Sequence, residues 1–161
     1  MTFDEWVASL PAEIKGDTLW KVEAYRLSLF ATEIGWHDVT ELMKDRRTLG
    51  LADQLYRSLG SVSANLAEGY SHHTGKSRAQ FYQYSLGSAR ESRDWYYKSH
   101  HILKDEVVRH RISLLTQIIK LLLTMIPQQR GQILREQPAS YLVVPELQIS
   151  EVDLSEKIPL P

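Results

Sequence analysis

Asn65 and Glu68 stand three residues apart, a spacing that places them on one face of a helix. A carboxylate so placed serves as a general base only beside a partner acid, metal or nucleophile. None lies at a recognisable spacing, so the pair reads as a brace for a nearby turn, with Gly69 ending the helix. The six histidines include the pairs His72-His73 and His100-His101, and adjacent side chains on a helix point in different directions. No His-Glu-x-x-His string accompanies them, and the pairs sit about 40 Å apart along one helix at 1.5 Å per residue. Solvated or hydrogen-bonding histidines are therefore expected rather than zinc ligands. With no cysteine, thiolate catalysis and disulfides are excluded. No phosphate-binding glycine loop, nucleophile–base set, metal motif or cofactor motif is present, and the chain is expected not to be an enzyme.

Basic residues offer the more promising chemistry. Arg90 and Arg93 share a face by their i, i+3 spacing, Lys76 and Arg78 crowd one helix start, and Arg57 is expected across a hairpin from Arg90. Such a group can meet phosphates, and copies of it in an assembly would bind cooperatively and with salt dependence. The competing expectation is that Glu91 and Asp94 neutralise the two arginines. The net charge of −1 divides unevenly, because residues 136–161 hold five acids against Lys157, whereas residues 44–111 hold twelve basic residues against seven acidic ones. A mildly basic body thus precedes an acidic tail.

The elements that must position these residues are helices. Glycine and proline are sparse before residue 136, and apolar residues recur at three- and four-residue intervals. The pattern predicts a short turn at about 3–9, a long helix from Asp17 or Thr18 to about Met43, and further helices over roughly 48–71, 76–103 and 105–130. This is an all-α chain, an up-and-down antiparallel four-helix bundle over residues 1–135 followed by an extended or disordered tail over 136–161. In the last helix Ile112, Leu115, Ile119, Leu122 and Ile126 form one apolar stripe, and Leu114, Ile118, Leu121 and Met125 form a second. The second stripe calls for cover, for which another copy of the chain is the favoured source. In the tail, Tyr141, Leu142, Val143 and Val144 have extended character and suit docking on this or another protein. The acidic start and the absence of a long apolar run predict a cytoplasmic protein without a membrane span.

The middle hairpin carries a more specific pattern. With its turn at Ser71-His72-His73-Thr74-Gly75, facing positions sum to about 147, which sets Gly60 opposite Gly87 among serines that include Ser88, so the backbones are expected to approach closely there. The strings Arg57-Ser-Leu-Gly-Ser61-Val-Ser-Ala-Asn65-Leu-Ala-Glu68-Gly69-Tyr70 and Phe81-Tyr-Gln-Tyr-Ser-Leu-Gly87-Ser88-Ala-Arg-Glu91 resemble the central signature of a family of four-helix-bundle proteins. That family comprises proteins encoded in intervening sequences of bacterial 23S rRNA genes and the accessory variability determinant of diversity-generating retroelements. The resemblance implies a ring-like homo-oligomer, typically a pentamer, with a basic surface. It further implies binding to RNA or DNA and, in the retroelement branch, association with a reverse transcriptase. Ser63, where many members have proline, and the His72-His73 pair depart from the pattern. A protein–protein adaptor working through the tail is the alternative.

Overall fold

The computed structural model describes residues 2–130 and 153–161, and all regular secondary structure among them is helical. Thr2 opens α1 (Phe3–Ser9) through a capping box: its hydroxyl accepts from the Glu5 N–H at 3.2 Å while the Glu5 carboxylate accepts from the Thr2 N–H at 2.7 Å. A single turn, α2 (Ala12–Gly16), leads to Asp17, whose carboxylate accepts from the Leu19 N–H at 2.8 Å. That cap starts a 3-10 turn over Thr18–Lys21 rather than the first long helix. Val22 is extended (φ −81°, ψ 108°), so α3 begins later than the periodicity suggested and runs Glu23–Leu42. Three more long helices follow, α4 (Leu49–Ser71), α5 (Gly75–Lys98) and α6 (Asp105–Gln129), close to the predicted spans.

The four long helices enclose a common core in the cyclic order α3, α4, α5, α6, with α6 returning to α3. Phe30 and Ile34 of α3, Leu55 and Leu66 of α4, Tyr82 and Tyr96 of α5, and Leu114 and Ile118 of α6 are fully buried there. Phe3 and Trp6 from α1 join Phe30 and Trp20 in an aromatic cluster with ring centroids 5.0–6.3 Å apart, which seals one side. Both stripes of α6 are largely covered within the chain: Leu114, Leu115, Ile118, Ile119, Leu122 and Ile126 are buried and Ile112, Leu121 and Met125 half-buried. The expectation that the second stripe needs another copy is thus corrected. Contacts with α3 on one side and α5 on the other widen the buried arc beyond one stripe.

The close approach of α4 and α5 also lies elsewhere than expected. A Cβ added at Gly60 or Gly87 would meet nothing within 4 Å, so neither glycine is required by packing. The helices are joined instead by serines: Ser85 donates to the Val62 carbonyl at 2.8 Å and Ser92 to the Ser58 hydroxyl at 2.8 Å, all buried. Glycine is needed at Gly69, where a Cβ would stand 2.8 Å from Phe81 Cβ; at Gly35 a Cβ would meet Leu59 Cδ1 at 2.5 Å and the Tyr96 hydroxyl at 3.3 Å, so the Leu59 side chain would have to shift. Near the opposite end of the bundle from the α4–α5 turn, α3, α5 and α6 are tied by a buried polar cluster. Arg111 Nε and Nη2 donate to the two oxygens of Asp38 at 2.7 and 3.1 Å, and Tyr96 donates to the same carboxylate at 2.7 Å. Residues 153–161 return to this end of the bundle, where Ile158 is buried and the Pro159 carbonyl accepts from Arg111 at 3.0 Å.

Candidate nucleic-acid interface

Arg93 leaves α5 toward α6 and donates to the Thr116 hydroxyl at 3.3 Å. Farther along the same pair of helices Arg130, just past the end of α6, donates to the Gln83 amide oxygen at 3.0 Å. Arg90 lies one helical turn before Arg93 on the same side of α5, exposed and with no ion pair among the described residues. The acids expected to neutralise these arginines are engaged elsewhere. Glu91 accepts from the Trp95 indole at 3.2 Å, and Asp94 pairs with Lys98 at 2.5 Å. Among the described residues, three guanidinium groups on the α5–α6 side thus form no ion pair, and two of them are positioned by neutral acceptors.

The bundle end formed by the α4–α5 turn carries the other two predicted cations in different roles. Lys76 is exposed and, with Gly75, Gln129 and Arg130, lines an open cleft of about 540 Å³. Arg78 is structural: it donates to the His72 carbonyl at 2.9 Å and to Gln129 at 3.1 Å, and lies 5.9 Å from the Tyr70 ring centroid. Thr74 caps α5 by accepting from the Ser77 N–H at 3.2 Å, and His72 stacks on Phe81 at 4.6 Å. These contacts brace the hairpin, a role expected of Asn65 and Glu68. Asn65 instead donates to the Ser61 carbonyl of its own helix at 2.8 Å, and Glu68 is exposed.

Arg57 is not brought to Arg90. It projects from α4 within 3.8 Å of Asp53, an exposed pair of little energetic weight, whereas Arg90 and Arg93 lie on the side of α5 that faces α6. Ser88 is held to its own helix, donating to the Tyr84 carbonyl at 3.1 Å. Among the histidines, His110 is half-buried and accepts at Nδ1 from Arg111 at 2.9 Å. Burial, and then the neighbouring guanidinium, hold its pKa down at about 4. Among the described residues no group of three or more acids and histidines is placed to hold a metal ion, and no helix is long and apolar enough to cross a membrane. Tyr141, Leu142, Val143 and Val144 lie outside the described residues.

Arg130 is the contributor that sequence reasoning missed. It falls 37 positions after Arg93 and at a helix end, and extending the hairpin register to α5 and α6 would have found it opposite Gln83.

The family model described as 23S rRNA-intervening sequence protein matches residues 21–124, a span that holds α3, α4, α5 and most of α6. No curated protein and no solved structure matches the chain.

Proposed function

The chain belongs to the 23S rRNA-intervening sequence protein family, and from that premise we propose that it is a non-enzymatic, homo-oligomeric scaffold that binds RNA or DNA through its α5–α6 side. The observation that carries this reading is the set Arg90, Arg93 and Arg130 along one side of the bundle, none of which forms an ion pair with another described residue. Lys76, at the cleft beside Arg130, extends the set. Phosphates recognise such a surface by charge, without need of sequence readout.

Self-association is supported by a different surface. Trp36 (58% exposed) and Tyr56 meet edge to face at 5.6 Å on the outer side of α3 and α4, and Met43 and Leu49 lie exposed near the loop joining the two helices. Aromatic residues and methionine are enriched in protein interfaces, and a concentration of this kind is unusual on an isolated small domain. A ring that repeats the arginines would raise affinity by multivalency. The pentamer implied by the family resemblance is the favoured size.

The test combines light-scattering mass with fluorescence-anisotropy titration of mixed-sequence RNA and DNA over a salt series. The expected result is an oligomer whose log affinity falls linearly with log salt. The Arg90→Ala/Arg93→Ala/Arg130→Ala variant should lower the slope by roughly 2–3, at about 0.7–0.9 for each phosphate that is no longer neutralised. A correctly folded protein that ignores both nucleic acids at low salt would overturn the reading.

A further inference from the structure

The arginine side of α5 ends in an aromatic group that phosphate contacts leave unused. Residues seven apart on an α-helix differ in direction by only about 20°, so Gln83, Arg90 and Tyr97 form a nearly straight row along α5, about 21 Å long at 1.5 Å per residue. Arg130 joins the row at Gln83, and Arg93, three residues after Arg90 and four before Tyr97, flanks it on the α6 side. Tyr97 is 65% exposed, the most open large hydrophobic side chain among the described residues. Its ring is nevertheless supported. His100 packs beside it with ring centroids 5.6 Å apart and a 40° tilt, and His100 Nδ1 donates to the Tyr97 carbonyl at 2.6 Å. The His101 ring continues the group, 3.8 Å from that of His100.

The surroundings of Tyr97 decide what it can receive. An apolar partner calls for an apolar rim, and the exposed Trp36, Tyr56, Met43 and Leu49 lie on the α3–α4 side instead. Near Tyr97 along α5 stand Arg90, Arg93, His100 and the Asp94–Lys98 pair, in which the acid is already matched and the ammonium lies 4.3 Å from the Trp95 ring centroid. An open ring beside a row of guanidinium groups fits one partner chemistry, a chain with an anionic backbone whose units carry flat rings. In a duplex those rings stack on one another, and a side chain on the outside of a helix cannot reach their faces. In a single strand the faces are open.

We propose that the α5 row takes a single-stranded nucleic acid, with phosphates on Arg90, Arg93 and Arg130 and a base stacked on Tyr97, whose ring His100 steadies. The inference rests on the reading of this side as a nucleic-acid surface and adds to it a preference for a single strand over a duplex. Tyr97 sets the preference, since the arginines meet the phosphates of either form.

The test uses the full chain and short probes, each as RNA and as DNA: a mixed-sequence single strand, the same strand annealed to its complement, and an abasic strand of equal length, which keeps the phosphates and lacks the bases. Anisotropy titrations over a salt series compare the parent with Tyr97→Ala and Tyr97→Phe. The parent should bind the single strand more tightly than either other probe. Tyr97→Ala should weaken single-strand binding by roughly 5- to 150-fold, the loss of one base stack, with the salt slope unchanged and the other two probes unaffected. Tyr97→Phe keeps the ring and should retain the parent's affinity. Single-strand affinity that Tyr97→Ala leaves unchanged would overturn the stacking while the basic surface stands. A loss of equal size on the abasic strand would overturn it too, because the ring would then act on the phosphates or on the fold. Binding of no probe at low salt would overturn the basic surface and the stacking together.

Discussion

Replacing Asp38 by alanine should be among the most damaging single changes in the protein. Asp38 is wholly buried and Arg111 is 1% exposed, so the substitution strands a guanidinium that is shielded from water and has no other carboxylate partner among the described residues. The Tyr96 hydroxyl loses its acceptor in the same step. Leaving one member of a buried pair uncompensated costs about 3–5 kcal/mol, a large share of the roughly 5–15 kcal/mol that stabilises a typical domain. With a urea dependence of about 2 kcal/mol per molar, the unfolding midpoint should fall by about 2 M. This penalty is distinct from the worth of the pair itself. An Asp38→Leu/Arg111→Met/Tyr96→Phe variant removes the charges and the dependent hydroxyl together, and it should unfold within about 1–2 kcal/mol of the parent protein. Urea titrations followed by circular dichroism, with the single, double and triple variants arranged as a cycle, measure both quantities. A shift below about 0.5 M for Asp38→Ala with unchanged slope would refute a stranded-charge penalty, as would a triple variant as unstable as the sum of its parts.

The glycines provide a test of opposite sign. Gly60→Ala and Gly87→Ala have open space and should each stabilise by about 0.5–1 kcal/mol through helix propensity, whereas Gly69→Ala drives a Cβ against Phe81 and Tyr82 and should cost about 1–3 kcal/mol; thermal unfolding distinguishes them. His110 makes stability fall with acid. Its folded pKa of about 4 lies below the ordinary 6.5, so the unfolded chain binds the proton first, and the contribution is complete above about pH 6.5 and lost as pH falls toward 4. Allowing for the partly solvated ring, the loss should be about 1–2 kcal/mol, and His110→Asn, which keeps an acceptor for Arg111, should flatten that part of the stability–pH curve relative to the parent. Trp36→Glu should lower the light-scattering mass while preserving the helical circular dichroism spectrum, because the side chain it replaces is mostly exposed; an unchanged mass would remove the α3–α4 surface from the self-association reading.

The long helices were legible because their signal is repeated: α4 and α6 keep apolar residues on an inner face over more than twenty positions, and the observed spans agree closely with those read from periodicity. The start of α3 was not, because Asp17 satisfies a cap equally well for a 3-10 turn, and the break at Val22 leaves no mark in composition. Tertiary pairing was legible only in part. Hairpin register correctly brought α4 and α5 together, but it could not say which small residues lie at the contact, since that depends on the rotation of each helix; buried serines took the place assigned to Gly60 and Gly87. The Asp38–Arg111 pair spans 73 positions and no local pattern announces it. Among the cations, spacing placed Arg90 and Arg93 on one side of a helix. It could not distinguish Arg78, which is spent on the His72 carbonyl and Gln129, from a side chain available to a ligand.

The cyclic order of the helices gives the two proposed surfaces a relation that neither has alone. Since α3 packs on α4, α4 on α5, α5 on α6 and α6 on α3, the outer side of the α3–α4 pair is opposite the outer side of the α5–α6 pair. A contact made through Trp36, Met43, Leu49 and Tyr56 would therefore leave Arg90, Arg93 and Arg130 of the copy that contributes them uncovered, on the side away from that contact. Had the exposed aromatics shared a side with the arginines, assembly and phosphate binding would compete for the same area, and desolvating the guanidinium groups would oppose closure. Their separation would let the two proposed processes add. On the proposed reading, each added copy would bring another basic strip at little electrostatic cost to that contact, and a gain in nucleic-acid affinity on assembly would follow from multivalency rather than from any rearrangement of the bundle.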